Sequence, residues 1–133
     1  MDWEPLLSNT RGDAVIEAQA SEFTAIGNAA EKLGLTLAVI DGGDASDKVN
    51  LLAALADALG FPDYFGGNWD ALKDCLTDMP GAGWVVVVRG AEELCSQSPA
   101  DRETFLDIMR SAAAFWAQQP EPLSLKLVLF TGR

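Results

Sequence analysis

Apolar positions along the chain follow two alternating rhythms. The run WVVVV at 84–88 is the plainest strand, because β-branched valines are stiff at χ1 and pack well on a pleated surface. LSLKLVLF at 123–130 predicts another strand. LTLAVI at 35–40 is a continuous apolar run ending in Asp41-Gly42-Gly43, which suits a strand covered on both faces. AVIEA at 14–18 alternates weakly and suits an edge strand. Between these runs the apolar residues fall at helical spacing. Phe23, Ile26, Ala30 and Leu33 define a helix capped by Ser21 and stopped by Gly34. Asp44 or Ser46 opens a second, with Leu52, Leu55 and Leu59 on its inner face and Gly60 and Pro62 ending it. A third begins at Trp69. After a short acidic turn at 91–95, Ser98-Pro99 opens a fourth, with proline at its first position and Asp101 at its third. Its inner stripe is Phe105, Ile108, Met109, Ala112 and Trp116, and Pro120 and Pro122 close it. Residues 1–12 read as an irregular arm pinned by Trp3, Leu6 and Leu7.

Strands alternating with helices imply right-handed crossovers, so the expected class is α/β, a small and mostly parallel sheet covered by helices. At 133 residues a single domain is expected, and 49% hydrophobic residues suffice for a core. No apolar run approaches the roughly 20 residues of a membrane span. The N-terminus carries acids instead of a basic start before an apolar stretch, so no secretory signal is expected and the cytoplasm is the simplest location.

Charge sharpens this picture. The formal net charge is −11, which repels nucleic acid and anionic membranes and attracts cationic partners. Histidine is absent, so the commonest general base and any histidine-containing zinc site or triad are excluded. Cys75 and Cys95 lack metal or redox spacing and read as small buried hydrophobes.

The acids gather in FPDYFGGNWDALKDCLTDM, residues 61–79. Asn68 is a good N-cap, and Gly66-Gly67 gives the preceding loop backbone freedom. At about 100° per residue from Asp70, Asp74 falls near 40°, Thr77 near −20° and Asp78 near 80°, with Trp69, Leu72, Leu76 and Met79 opposite. A solvated back explains such a face only in part. Like charges at i,i+4 destabilise a helix, aspartate is a mediocre helix former, and Asp78 lies near the end where the dipole opposes it. The pattern favours an interaction surface. The catalytic alternative joins Asp70 and Asp74 to Asp41 or Asp44 around Mg²⁺ or as acid and base. The chain lacks a phosphate-binding glycine motif and a nucleophile beside a base, so no enzyme, metal or cofactor is expected. Phe61 and Trp69 read as core. Phe65, beside Tyr64 on the glycine loop, is placed on the candidate surface, with core packing as its alternative. Glu92-Glu93 reads as solvated.

The same stretch resembles the core motif of the barstar family, intracellular inhibitors of a secreted bacterial ribonuclease. The shared residues include Pro62, Tyr64, Gly66, Asn68, Asp70-Ala71-Leu72 and Asp74-Cys75-Leu76-Thr77. The order of elements from Leu35 onward also fits. The resemblance implies a barstar-like core at 35–133 with an N-terminal strand–helix extension at 1–34, within one domain over 1–133. It implies an acidic helix that enters a ribonuclease active site, with Tyr64, Asn68, Asp70, Asp74 and Thr77 at the interface and Asp74 nearest the catalytic centre. Gly66 and Gly67 would let the backbone approach the enzyme. The implied partner is a basic ribonuclease, bound one-to-one by an otherwise monomeric chain. Two positions depart from the founding inhibitor: Lys73 replaces a tryptophan inside the contact surface, and Ser111 replaces an acidic contact. They motivate an alternative, a non-inhibitory binding module of the same fold with a different basic partner.

Overall fold

The computed structural model describes residues 2–62 and 65–132. Four strands, β1 (Val15–Gln19), β2 (Thr36–Asp41), β3 (Gly83–Arg89) and β4 (Ser124–Thr131), form one sheet in the order β1-β4-β3-β2. Every pairing is parallel, with Val15 opposite Leu127, Leu127 opposite Val86, and Val86 opposite Ala38. Five α-helices connect and cover the strands: α1 (Trp3–Ser8), α2 (Phe23–Leu33), α3 (Lys48–Leu59), α4 (Trp69–Leu76) and α5 (Pro99–Ala117). The class is thus α/β, as the alternation of runs predicts.

Side chains on a strand alternate between faces, and here both faces are used. Val85, Val87, Val128 and Phe130 pack with Trp3 and Leu7 of α1 and with Ile26, Ala29 and Ala30 of α2. Val86, Val88, Leu125, Leu127 and Leu129 pack with the apolar sides of α3, α4 and α5. The result is three layers, with the sheet between a two-helix layer and a three-helix layer. Valines 85–88 are fully buried because they serve both cores.

Four local expectations change. The arm at 1–12 is helical at its start: Asp2 caps α1 by accepting from the Glu4 amide at 3.2 Å. Trp3 and Leu7, four residues apart, reach the core, whereas Leu6 faces out. Ser21 does not cap α2, since a 3-10 turn at Ala20–Glu22 leads directly into it. The cap of α3 is Asp47, which accepts from Asn50 N at 2.8 Å, because a 3-10 turn at Gly42–Ala45 occupies the earlier candidates. Finally, β2 is an edge strand whose Leu37 is half-buried and whose Val39 is 39% exposed, so only its inner face is fully covered. Gly34 and Gly60 end α2 and α3 in the left-handed region, as expected.

Among the described residues Lys126 is the one buried charged side chain, at 2% exposure in the middle of β4. It shares its strand face with Ser124, Val128 and Phe130. Its Nζ donates to the carbonyls of Asn9 (2.8 Å), Asp13 (3.0 Å) and Gly12 (3.4 Å). Ser124 Oγ donates to the Leu7 carbonyl in the same way. These bonds tie the segment after α1 to the sheet.

Candidate partner-binding site

The acidic helix forms where expected. Asn68 is extended at φ −131° and ψ 173°, and its Oδ1 accepts from the Ala71 amide at 2.7 Å. Gly67 precedes it at φ +67°, a left-handed conformation that suits glycine. Gly66 has no such angle, so the backbone requirement rests on Gly67 alone. Replacing Asn68 with alanine leaves a first-turn amide without its acceptor. The expected loss is about 1 kcal/mol of stability, read from the denaturation midpoint, with faster amide exchange in α4.

Leu72 and Leu76 are fully buried and fix the inner face of α4. The face is locked from α5, where Trp116 Nε1 donates to the Leu76 carbonyl at 2.9 Å. The loop beyond is held by Trp84 Nε1 on the Pro80 carbonyl, also at 2.9 Å. At the start of α4, Lys48 Nζ sits 5.2 Å above the Trp69 ring. Both ends of this short helix are therefore tethered to neighbours that sequence spacing did not reveal.

With that inner face fixed, Asn68, Asp70, Lys73 and Asp74 are all exposed, as are Gly66 and Gly67. Among the described residues the one salt bridge joins Arg110 to Asp107, so no described cation neutralises Asp70 or Asp74. Thr77 is half-buried, and its hydroxyl donates to the carbonyls of Lys73 (2.9 Å) and Asp74 (3.2 Å), so it closes the helix. Phe65 is also half-buried; its ring lies 5.1 Å from that of Phe61 and packs against the core on the α3–α5 side. Tyr64 lies outside the described residues. Ser111 is exposed on α5, the helix that packs beside α4, one turn before the partly exposed Phe115.

Cys75 forms the half-buried floor of a groove between the C-terminal ends of α3 and α4. Burial, then the Asp74 and Asp78 carboxylates, push its thiol above the ordinary 9.0. Asp78 lines the groove with Asp74. Among the described residues no group of three or more cysteine and carboxylate side chains is placed to hold a metal ion. Asp41 is engaged locally, its carboxylate accepting from the Gly43 amide at 2.8 Å. No helix in the described residues is long and apolar enough to cross a membrane.

The fold is a small parallel α/β domain with a tethered acidic helix, and sequence comparison places it further. The family model described as Barstar (barnase inhibitor) matches residues 35–128. The chain belongs to the Barstar family. A Bacillus subtilis (strain 168) protein named "Putative ribonuclease inhibitor YrdF" is 51% identical over 47 residues, 35% of this chain and 46% of that protein. The match therefore spans about half the length of this curated relative. Among solved structures, the Aeropyrum pernix ORC2 protein (ADPNP-ADP complexes) aligns with a TM-score of 0.64 at 15% identity. That alignment covers 98% of this chain and 38% of the other, and at such low identity it shows likeness of fold alone.

Proposed function

We propose that this protein inhibits a ribonuclease by placing α4 and the loop before it into the enzyme's active site. The observation that carries the proposal is the pair Asp70 and Asp74, exposed on one side of a helix whose other side is anchored by the buried Leu72 and Leu76. Family membership and the printed name of the Bacillus subtilis relative support the same role. A ribonuclease binds a polyanion, so cations line its cleft and stabilise the charge that develops on phosphate. Two carboxylates one turn apart are separated by about 6 Å of helical rise, close to the spacing of adjacent phosphates. Arginine in the cleft grips each through paired hydrogen bonds. A helix tethered at both ends presents these groups with little left to order on binding. No catalytic role is assigned to the chain, whose task in the cytoplasm is to protect the cell's own RNA.

Lys73 favours a second target over the founding one. It is exposed on α4, flanking Asp70 on the side away from Asp74, where it would meet cations in a uniformly basic cleft. The matching partner therefore carries an acid or an open space opposite Lys73. The extreme form of this view is a binding module that inhibits nothing.

Capture on the immobilised chain separates these views. The expected result is a basic protein retained at low salt and released at high salt, because exposed charges are screened. It cleaves RNA, and adding the chain back in equimolar amount stops the cleavage. A captured partner without ribonuclease activity, or one whose cleavage continues at equimolar chain, would transfer the assignment to the binding module.

A further inference from the structure

A cavity of about 620 Å³ opens between α5 and the segment 10–14 that leads into β1. That volume lies within the roughly 300–1,000 Å³ of small-molecule pockets. It shares no lining residue with the groove beside α4. One wall comes from ahead of residue 35, outside the stretch that the family model matches, so the complete site is not part of the family core.

Its charge is opposite to that of the molecule. The chain carries 20 acids against 9 lysines and arginines, yet Arg11, Arg110 and Lys126 line this cavity against the single carboxylate of Asp13. That carboxylate accepts from the Val15 amide at 3.1 Å. Arg110 shares its head with the exposed Asp107 at 3.3 Å, and among the described residues no carboxylate pairs with Arg11 or Lys126. Lys126 is the telling group. Its ammonium serves the carbonyls of Asn9, Gly12 and Asp13, which takes three N–H donors and hence the charged form. A buried cation without a counter-charge is costly. An anion in the adjoining cavity lowers that cost.

The wall from α5 sets the rest of the ligand. Ala113, Ala114 and Ala117 follow Arg110 at spacings of three, four and seven residues, so all four share one side of the helix. Their small side chains make a flat apolar surface, continued by Leu123 and Leu125. An inorganic anion would leave this surface uncovered, and an uncharged ring would leave the cations unanswered. We propose that the cavity binds a small organic anion, its planar apolar body against the α5 alanines and its carboxylate or phosphate head held by Arg11 and Arg110 in the field of Lys126. The site is independent of the ribonuclease reading, and neither falls with the other.

The test titrates the intact chain, at constant ionic strength, with phenyl phosphate, benzoate, benzyl alcohol and inorganic phosphate, followed by backbone amide chemical shifts. Phenyl phosphate or benzoate is expected to move the amides at 10–14 and 113–118 and to leave those of α4 in place. Either result supports the proposal, and the tighter of the two tells a phosphoester ligand from a carboxylate. Benzyl alcohol and inorganic phosphate are each expected to bind roughly tenfold more weakly or worse. Arg11→Gln, at an exposed side chain, should weaken the organic anion about tenfold. Ala114→Leu fills the cavity from an exposed position and should abolish binding while the melting temperature of the free chain stays nearly the same. The proposal is overturned if no localised shift appears or if shifts spread over all cationic residues. It is equally overturned if benzyl alcohol or inorganic phosphate binds as tightly as the organic anions, or if either variant binds them as the parent does.

Discussion

Replacing Asp74 with alanine is expected to weaken the ribonuclease complex by about 3–5 kcal/mol, because partner cations are left buried without a counter-charge. That is roughly a hundred- to several-thousandfold in Kd. Folding should respond with the opposite sign. The substitution removes a like-charge i,i+4 pair with Asp70, which costs a helix about 0.2–0.5 kcal/mol, and alanine is the better helix former. Asp74 is exposed, so no cavity is left behind. The variant should therefore unfold at a slightly higher temperature while inhibiting far less. Asp74→Asn, which keeps the shape, should lose most of the same affinity if charge is the cause. Calorimetric titration and thermal unfolding on the same samples check both halves. A variant that inhibits as its parent does would remove Asp74 from the interface.

The second large effect concerns Lys126, which lies on the sheet face opposite α4. Lys126→Met keeps an unbranched stem of similar length but removes the donor to three carbonyls, those of Asn9, Gly12 and Asp13. The Asn9 carbonyl keeps the Gly12 amide as a donor at 3.1 Å, whereas a part-buried acceptor left without a partner costs about 1–3 kcal/mol. The gain from no longer burying an amine offsets part of this, leaving an expected loss of about 1–2 kcal/mol. The loss should come with faster amide exchange at 9–13. Burial lowers the Lys126 pKa from 10.5, and Asp13 opposes the shift in part. Over the interval below 10.5 the unfolded chain thus binds more protons at this site than the folded one, so this contribution to stability rises with pH and levels off near 10.5. The thiols act the other way: Cys75 and Cys95 are both raised above 9.0, so their contribution falls as pH rises past that value. Both thiols are present in parent and variant. The difference between their denaturation curves should therefore isolate the lysine, and the stability gap should widen with pH. A gap that narrows with rising pH would contradict the assigned direction.

Much of the fold was legible because local signals and tertiary needs agree. The run WVVVV at 84–88 signalled a strand, and β3 forms there with Val85, Val86, Val87 and Val88 fully buried. Asn68 signalled a cap, Gly34 and Gly60 signalled stops, and Pro99 marked the first turn of α5. The helical wheel placed Asp70 and Asp74 opposite Leu72 and Leu76, and burial agrees. The errors arose where a three-dimensional neighbour decides. LTLAVI reads as a doubly covered strand, but its position at the sheet edge leaves Val39 exposed, and strand order is not written in strand composition. Lys126 interrupts an apolar run, and nothing local tells that carbonyls more than a hundred residues away will surround it. The helix at Trp3–Ser8 was missed although Trp3 and Leu7 are four residues apart, because six residues give too little periodicity to stand out from an arm. Asp78 was visible on the acidic face, but its groove needs the end of α3, which only folding brings alongside.

Strand length falls from the middle of the sheet to its rims: β4 has 8 residues and β3 has 7, whereas β2 has 6 and β1 has 5. The long apolar β4 lies inside only because β1, from before residue 35, pairs with its far side. Without β1, the ladder of β4 would end in a row of unpaired amides and carbonyls along an almost wholly apolar strand, a ready template for recruiting other chains. The segment ahead of the family match thus covers that ladder. It leaves at that rim only a short strand bearing Glu17 and Gln19, on which aggregation would be hard to seed.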